Sequence, residues 1–437
     1  MVNEQIPLDS RIVIVGAGTF GLSTGLELLR KGYKTVTLVD PYPPPSPLSA
    51  GNDVNKIVQS TVDNKFLSEL ALEALQLWRN DPIYRDAFHE TGIIYAATNE
   101  KIHDIQDRRK RLEKLGIEHS ALDGSQDFAK VIPSLTGSDD NSSRFRNWVG
   151  FHQKKNCGWA FARLALEFAA NEIRKLGGQF EIANVEELVF NQDTVIGVRT
   201  TTGQVIKGDK VVICAGAKSD QILDFENQLL AKCFTVVHIE LLPCEVESLK
   251  NLPVVLNLDQ GFFFEPDKKN HLKICNEFPG YINFSEDSTI SKPVYLDKIP
   301  QEAEKQIRIF LKETFPNLSA RPFAVTKICW CTDTSDRNFL IGTHPKHKNL
   351  ILGTGDSGQG FKYMPVIGKY IASVVSNGPE SLPPDIERFW RWRPESTTNR
   401  DVYDLQNRYG GSNQVKNLQD IKHWSSSKNN SSDAAKF

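Results

Sequence analysis

The sequence predicts an α/β fold of two domains, one a doubly wound, largely parallel sheet and the other an inserted α+β domain with a mixed or antiparallel sheet. Three observations carry this reading. Short β-branched runs, of the kind buried on both faces of a parallel sheet, lead into glycine turns, two of them followed by a helix pattern. These runs recur near residues 11, 210 and 349, so one sheet is assembled from separated segments. Between them, 91–149 and 226–324 alternate aromatic and polar residues, which suits a second domain.

Taken in order, Arg11-Ile-Val-Ile-Val15 is the first buried strand, and Gly16-Ala-Gly18-Thr19-Phe20-Gly21 follows at once. Leu22, Leu26 and Leu29 then recur at helical spacing, and Gly32 stops the helix. Thr35-Val-Thr-Leu-Val39 is a second strand that ends on Asp40, about 20 residues past the last glycine. Glycines at this spacing permit a tight turn and a close backbone approach to a pyrophosphate. The helix N-terminus adds N–H donors, and a carboxylate at Asp40 accepts from ribose hydroxyls. The unit is therefore a Rossmann-type dinucleotide site, with Gly16, Gly18, Thr19, Phe20, Gly21 and Asp40 as its residues.

Further along, 161–176 is an amphipathic helix stopped by Gly177-Gly178, and Lys210-Val-Val-Ile213 is another buried strand. Asn349-Leu-Ile-Leu-Gly-Thr-Gly355 repeats the pattern, followed by Gly358, Gly360 and a helix from about Pro365 to Val375. The expected division gives 1–90, 150–225 and 325–412 to the dinucleotide domain and 91–149 and 226–324 to the substrate domain. A polar tail, 413–437, is expected to be loose from Ser425 onward.

Composition excludes other classes. Lys+Arg 52 against Asp+Glu 54 leaves a net charge of -2, so nothing drives binding to nucleic acid. A mean hydropathy of -0.36, without a long apolar run, predicts no membrane span. Seven cysteines, an odd number, and a start that lacks a signal-peptide pattern predict reduced thiols in an intracellular protein.

Five further blocks sharpen the reading: Ser49-Ala-Gly-Asn-Asp-Val-Asn-Lys56, Gly261-Phe-Phe-Phe-Glu-Pro266, Lys273-Ile-Cys-Asn-Glu-Phe-Pro-Gly280, Cys329-Trp-Cys331 and Arg408-Tyr-Gly-Gly. With Gly353-Thr-Gly-Asp-Ser-Gly-Gln-Gly-Phe-Lys-Tyr363, the chain resembles the monomeric sarcosine oxidase group of amine-oxidising flavoenzymes. Within that group it resembles the fructosyl amino acid oxidases, or amadoriases, along nearly its whole length. Asn276 stands where that family typically has Asp.

The resemblance implies FAD held covalently through Cys329, with Gly358, Gly360, Phe361 and Lys362 along the cofactor and substrate. It implies Lys273 as the oxygen-activating lysine and Lys56 as a second flavin-side lysine. Glu277 would contact the sugar, and Lys362 and Arg408 would clamp the substrate carboxylate, where guanidinium offers a planar fork and ammonium a point charge. The implied reaction oxidises the C–N bond of a fructosyl amino acid or short glycated peptide with O2, releasing free amino acid, glucosone and H2O2. The implied enzyme is a monomer. The alternative is an oxidase of sarcosine, pipecolate or another simple secondary amine, but such a substrate has no sugar for Glu277 to contact.

Independently of the resemblance, alternation in His271-Leu-Lys-Ile-Cys-Asn276 puts Lys273 and Cys275 on one strand face, opposite Leu272 and Ile274. Cys331 reads as a small buried hydrophobe. Gly355-Asp-Ser-Gly358 also spells a protease nucleophile motif, but no all-β pattern accompanies it. His344-Pro-Lys-His347 reads as a surface turn, and no metal site is expected. Ala435-Lys-Phe437 partly fits a peroxisomal address, so the expected location is peroxisomal or cytoplasmic.

Overall fold

The strand Arg11–Val15 runs through Gly16 into the helix Thr19–Arg30, which ends where Gly32 takes φ +93° and donates its N–H to Leu29 O at 3.0 Å. The return strand, Thr35–Asp40, pairs parallel to the first. These elements begin a six-stranded sheet in the order Leu340–Thr343, Leu350–Thr354, Lys210–Ile213, Arg11–Val15, Thr35–Asp40, Gln179–Ile182. All its pairings are parallel except the Leu340–Thr343/Leu350–Thr354 hairpin. Helices Thr19–Arg30, Ala162–Lys175 and Met364–Asn377 cover one face through a core that includes Leu22, Leu166 and Ile371. This computed structural model describes residues 5–60, 65–135, 144–404, 406 and 415–427, without the side chains of residues 65 and 277–279.

A nine-stranded sheet forms the second layer system. Its path runs through Val325–Asp333, Leu230–Glu240, His271–Ile282, Gly261–Phe263, Val254–Asn257, Ile93–Ala97, Val149–Gln153 and Ser120–Asp123. Lys416–Asn417 adds to His271–Ile282. The sheet is mixed, because Val254–Asn257 runs parallel to Ile93–Ala97 while the other pairs on the path are antiparallel. Helix Gln301–Thr314 covers one face, burying Ile307, Phe310 and Leu311 against Ile274 and Leu272. Val325–Asp333 hydrogen-bonds to Leu230–Glu240 in this sheet, then leads directly to the edge of the six-stranded one.

The start of the polar C-terminal stretch departs from the expected loose tail. Trp424–Ser426 pairs with Lys298–Pro300, since Trp424 packs on the second sheet's core and Lys298 stacks over its ring at 4.7 Å. Ala435-Lys-Phe437 lies outside the described residues. No described helix is long and apolar enough to cross a membrane.

Candidate active site

A cavity of about 710 Å³ runs from the end of the first strand to the face of the nine-stranded sheet. At its first end lie Gly16, Gly18, Thr19, Phe20 and Asp40. Gly16 takes φ +102°, and a Cβ there would run into the Cys214 carbonyl. Gly21 does not line the cavity. A Cβ on Gly21 would strike the Gly16 carbonyl, so this glycine lets the helix sit down on the strand turn. Asp40 is buried and tied to the glycine turn, accepting from Ala17 N–H at 3.0 Å and, within its own turn, from Tyr42 N–H at 3.1 Å.

At the other end a single carboxylate gathers three lysines. Asp53 Oδ2 accepts from Lys273 Nζ at 2.6 Å and pairs with Lys56 Nζ at 2.9 Å, while Lys327 Nζ stands 3.4 Å from Oδ1. Lys273 also donates to Asn55 O at 2.8 Å, and its ammonium lies 5.1 Å from the Phe264 ring centroid. Burial alone would raise the Asp53 pKa, but attraction to Lys273, Lys327 and Lys56 outweighs it and holds the carboxyl well below its ordinary value. Burial pulls the Lys56 pKa down, and Asp53, then Cys329, push it up by more. Three ammonium groups against one carboxylate leave two positive charges at this end.

The remaining wall comes from two neighbouring elements. Cys329 lies on Val325–Asp333, opposite Phe234, and lines the cavity half-buried, with Ile328 turned into the core. Cys331 also borders the cavity but is buried, and it directs its thiol to Asp333 Oδ1 at 3.5 Å. The loop after Leu350–Thr354 is pinned beside this strand, because Asp356 Oδ1 accepts from Thr332 N–H at 2.9 Å. That loop brings Gly358, Gly360, Phe361 and Lys362 to the cavity, with Gly360 so close to Phe20 that a Cβ would lie 2.8 Å from its ring. Lys362 is buried, and its carbonyl accepts from Trp78 Nε1 at 2.8 Å.

The FAD dependent oxidoreductase family matches residues 11–374. The chain belongs to that family. Its fold is also that of the crystal structure of Amadoriase II, the deglycating fructosamine oxidase of Aspergillus fumigatus. The two share 40% identity over 97% of this chain and 98% of that one, with a TM-score of 0.90. Amadoriase I of the same organism, a fructosyl amine:oxygen oxidoreductase, gives 38%, 97%, 99% and 0.90. L-Saccharopine oxidase of Schizosaccharomyces pombe is 31% identical over 416 residues, 89% of this chain and 94% of its own length.

The residues present fit the family's FAD. The glycine cradle leaves space that a side chain would fill, Asp40 faces the same cavity, and a cationic wall closes the far end. Of the residues singled out in the sequence, this oxidoreductase brings Gly16, Gly18, Thr19, Phe20, Asp40, Lys56, Lys273, Cys329, Gly358, Gly360, Phe361 and Lys362 to one cavity. Glu277 belongs to the strand His271–Ile282, but its side chain lies outside the described residues, as does the whole of Arg408. The strand register against Leu230–Glu240 shifts between Asn276 and Tyr281.

Two residues behind the cavity wall and two on it were not signalled by the sequence. Asp53 and Lys327 are an ordinary loop acid and strand lysine until the fold joins them. Arg108, over the Tyr95 ring at 5.2 Å, and Tyr295, with its hydroxyl 3.4 Å from Leu48 O, also reach the cavity. The Asp53/Lys56 spacing was the one available hint. The two alternative motifs prove to be structural. Ser357 is fully buried and bonded to Gly355 O, and His344 Nδ1 caps its own turn by accepting from Lys346 and His347 N–H.

Proposed function

We propose that this protein is a fructosyl amino acid oxidase with covalently attached FAD. The observation that supports it most is the single cavity joining the glycine cradle and Asp40 to Cys329, Lys273, Lys56 and Lys362. FAD, when bound, supplies the two-electron chemistry that oxidises the substrate C–N bond and returns the electrons to O2. Cys329 is the attachment residue, the more accessible of the two thiols on the cavity wall, while Cys331 is buried beside it. Gly16, Gly18, Thr19, Phe20 and Asp40 hold the nucleotide end, and Gly358, Gly360 and Phe361 line the other.

The polypeptide itself supplies charge and orientation. Lys273 Nζ is fixed by Asp53 Oδ2 and Asn55 O, so its ammonium is oriented before any reactant arrives. That favours the anion that forms when neutral O2 takes its first electron. Lys56 shares the carboxylate and adds a second positive charge. Lys362 and Arg408 clamp the substrate carboxylate, and Glu277 contacts the sugar. No side chain lining the cavity stands out as a strong general base, and a substrate amine that binds neutral needs none. The free amino acid, glucosone and H2O2 are the products. We assign 1–90, 150–225 and 325–412 to the cofactor half, although Val325–Asp333 pairs into the nine-stranded sheet, and a peroxisomal or cytoplasmic location.

The test is anaerobic titration of the purified yellow protein. Fructosyl-valine or ε-fructosyl-lysine should bleach the flavin, and air should restore the colour with release of H2O2. Bleaching by sarcosine, pipecolate or saccharopine, with none by either fructosyl compound, would overturn the assignment.

A further inference from the structure

A second cluster of ligand-type side chains lies outside the cavity lining, at the turn end of the strand that carries Lys273. The hairpin turn Asp267–His271 closes with Asp267 N–H donating to His271 O at 2.9 Å. Asp267 Oδ1 accepts from Lys269 N–H at 2.8 Å and His271 N–H at 2.9 Å, and Oδ2 has no hydrogen bond among the described residues. His238 comes from the neighbouring strand. Its register partner is Lys273, and that of Glu240 is His271, so the two histidines are diagonal neighbours on one sheet face. Their rings lie 5.8 Å apart, nearly perpendicular.

One ligand atom each from His238, Asp267 and His271 lies within 4.8 Å of the others, before any ion has drawn them together. His238 supplies a second, independent observation. It is only 6% exposed, and its Nε2 is buried without a hydrogen-bond partner. Buried polar atoms are ordinarily paired, and an unpaired imidazole nitrogen is a ready ligand. Burial, with Lys327 adding to it, keeps this ring neutral, so no proton has to leave before an ion binds.

We propose that His238, Asp267 and His271 form a site for a borderline divalent transition cation such as Zn²⁺. Two imidazoles and one carboxylate suit Zn²⁺ far better than Ca²⁺ or Mg²⁺, which demand oxygen ligands. Three protein ligands leave a fourth tetrahedral position to water. Lys327 and Lys273 oppose a cation here, and the carboxylates of Asp267 and Asp53 offset them only in part. The ion would clasp the hairpin turn to the adjacent strand, two residues from Lys273, and stabilise the folded state by mass action.

The test uses the flavin-loaded full chain, freed of metal by chelator and titrated calorimetrically with Zn²⁺. One ion should bind per chain, and the thermal midpoint should rise with Zn²⁺. Asp267→Asn keeps acceptors for the turn's N–H groups, and His271→Ala removes a partly exposed ring. Each should weaken binding at least about tenfold and abolish the thermal shift, without changing flavin content or anaerobic bleaching. Zn²⁺ bound equally well by the combined variant Asp267→Asn/His271→Ala would place the ion elsewhere, for instance on cysteine, and overturn the site. So would the absence of binding to wild type.

Discussion

Asp53 faces ammonium groups at 2.6, 2.9 and 3.4 Å, and Asp53→Asn would remove the charge while keeping the shape. Lys273 is 1% exposed, so its charge would be left without a counter-ion. The expected destabilisation is about 3–5 kcal/mol in urea unfolding, and a loss below about 1 kcal/mol would show that the lysines re-pair. Lys273→Met probes chemistry instead. Charge develops on oxygen only in the oxidative half-reaction, so reoxidation should slow by roughly 10²–10³-fold in stopped flow while anaerobic reduction changes little. Reoxidation at the wild-type rate would make Lys273 structural and turn attention to Lys56. The two thiols separate as cleanly. Cys329→Ser should release flavin from acid-denatured protein, and Cys331→Ser should retain it in the pellet.

Among the elements, strands whose face is dictated by period-two alternation were legible. Leu272 and Ile274 enter the core, and Lys273 and Cys275 line the cavity as alternation requires. The register shift between Asn276 and Tyr281 was not legible, because it follows from pairing with another strand and leaves no local signature. The same limit applies to helix contacts. Gly368 on Met364–Asn377 meets Ser23 on Thr19–Arg30, where a Cβ would strike the Ser23 carbonyl. Ser23 Oγ ties the crossing by donating to Met364 O at 2.6 Å and accepting from Gly368 N–H at 2.8 Å. Backbone cannot swing aside as a side-chain tip can. Gly368→Ala should therefore cost about 1–3 kcal/mol in thermal or urea unfolding, and an unchanged midpoint would mean that the helices slide apart freely.

For the whole molecule, stability should fall on acidification, and the direction follows from burial. His152 and His344 are buried, which lowers the pKa of each to about 4. An unfolded histidine titrates near 6.5, so below that pH the unfolded chain takes up protons that the folded chain refuses. The stability that depends on their neutrality is complete above about pH 6.5 and declines toward pH 4, at up to about 1.4 kcal/mol per pH unit for each ring. Asp53 acts lower. Its folded pKa is depressed, so its contribution holds above the ordinary carboxylate range near pH 4 and is lost below it. Urea midpoints should therefore drop between pH 7 and 5, and the double variant His152→Phe/His344→Phe should flatten that slope. An identical slope in the variant would refute this origin.

What the sequence by itself determined was the cradle and its first helix and strands. Gly16, Gly18, Gly21 and Asp40 act within a few tens of residues of one another, through backbone sterics that any chain with this spacing obeys. The alternation that put Lys273 on a defined face is equally local. Tertiary structure alone decided the charge at the lysine end of the cavity, because Lys273 and Asp53 are 220 positions apart and Lys327 and Asp53 are 274 apart. Nothing in a loop aspartate signals that it will be buried. Only when the nine-stranded sheet closes over the loop before Lys56 does burial remove the competing water and make one carboxylate govern three ammonium groups.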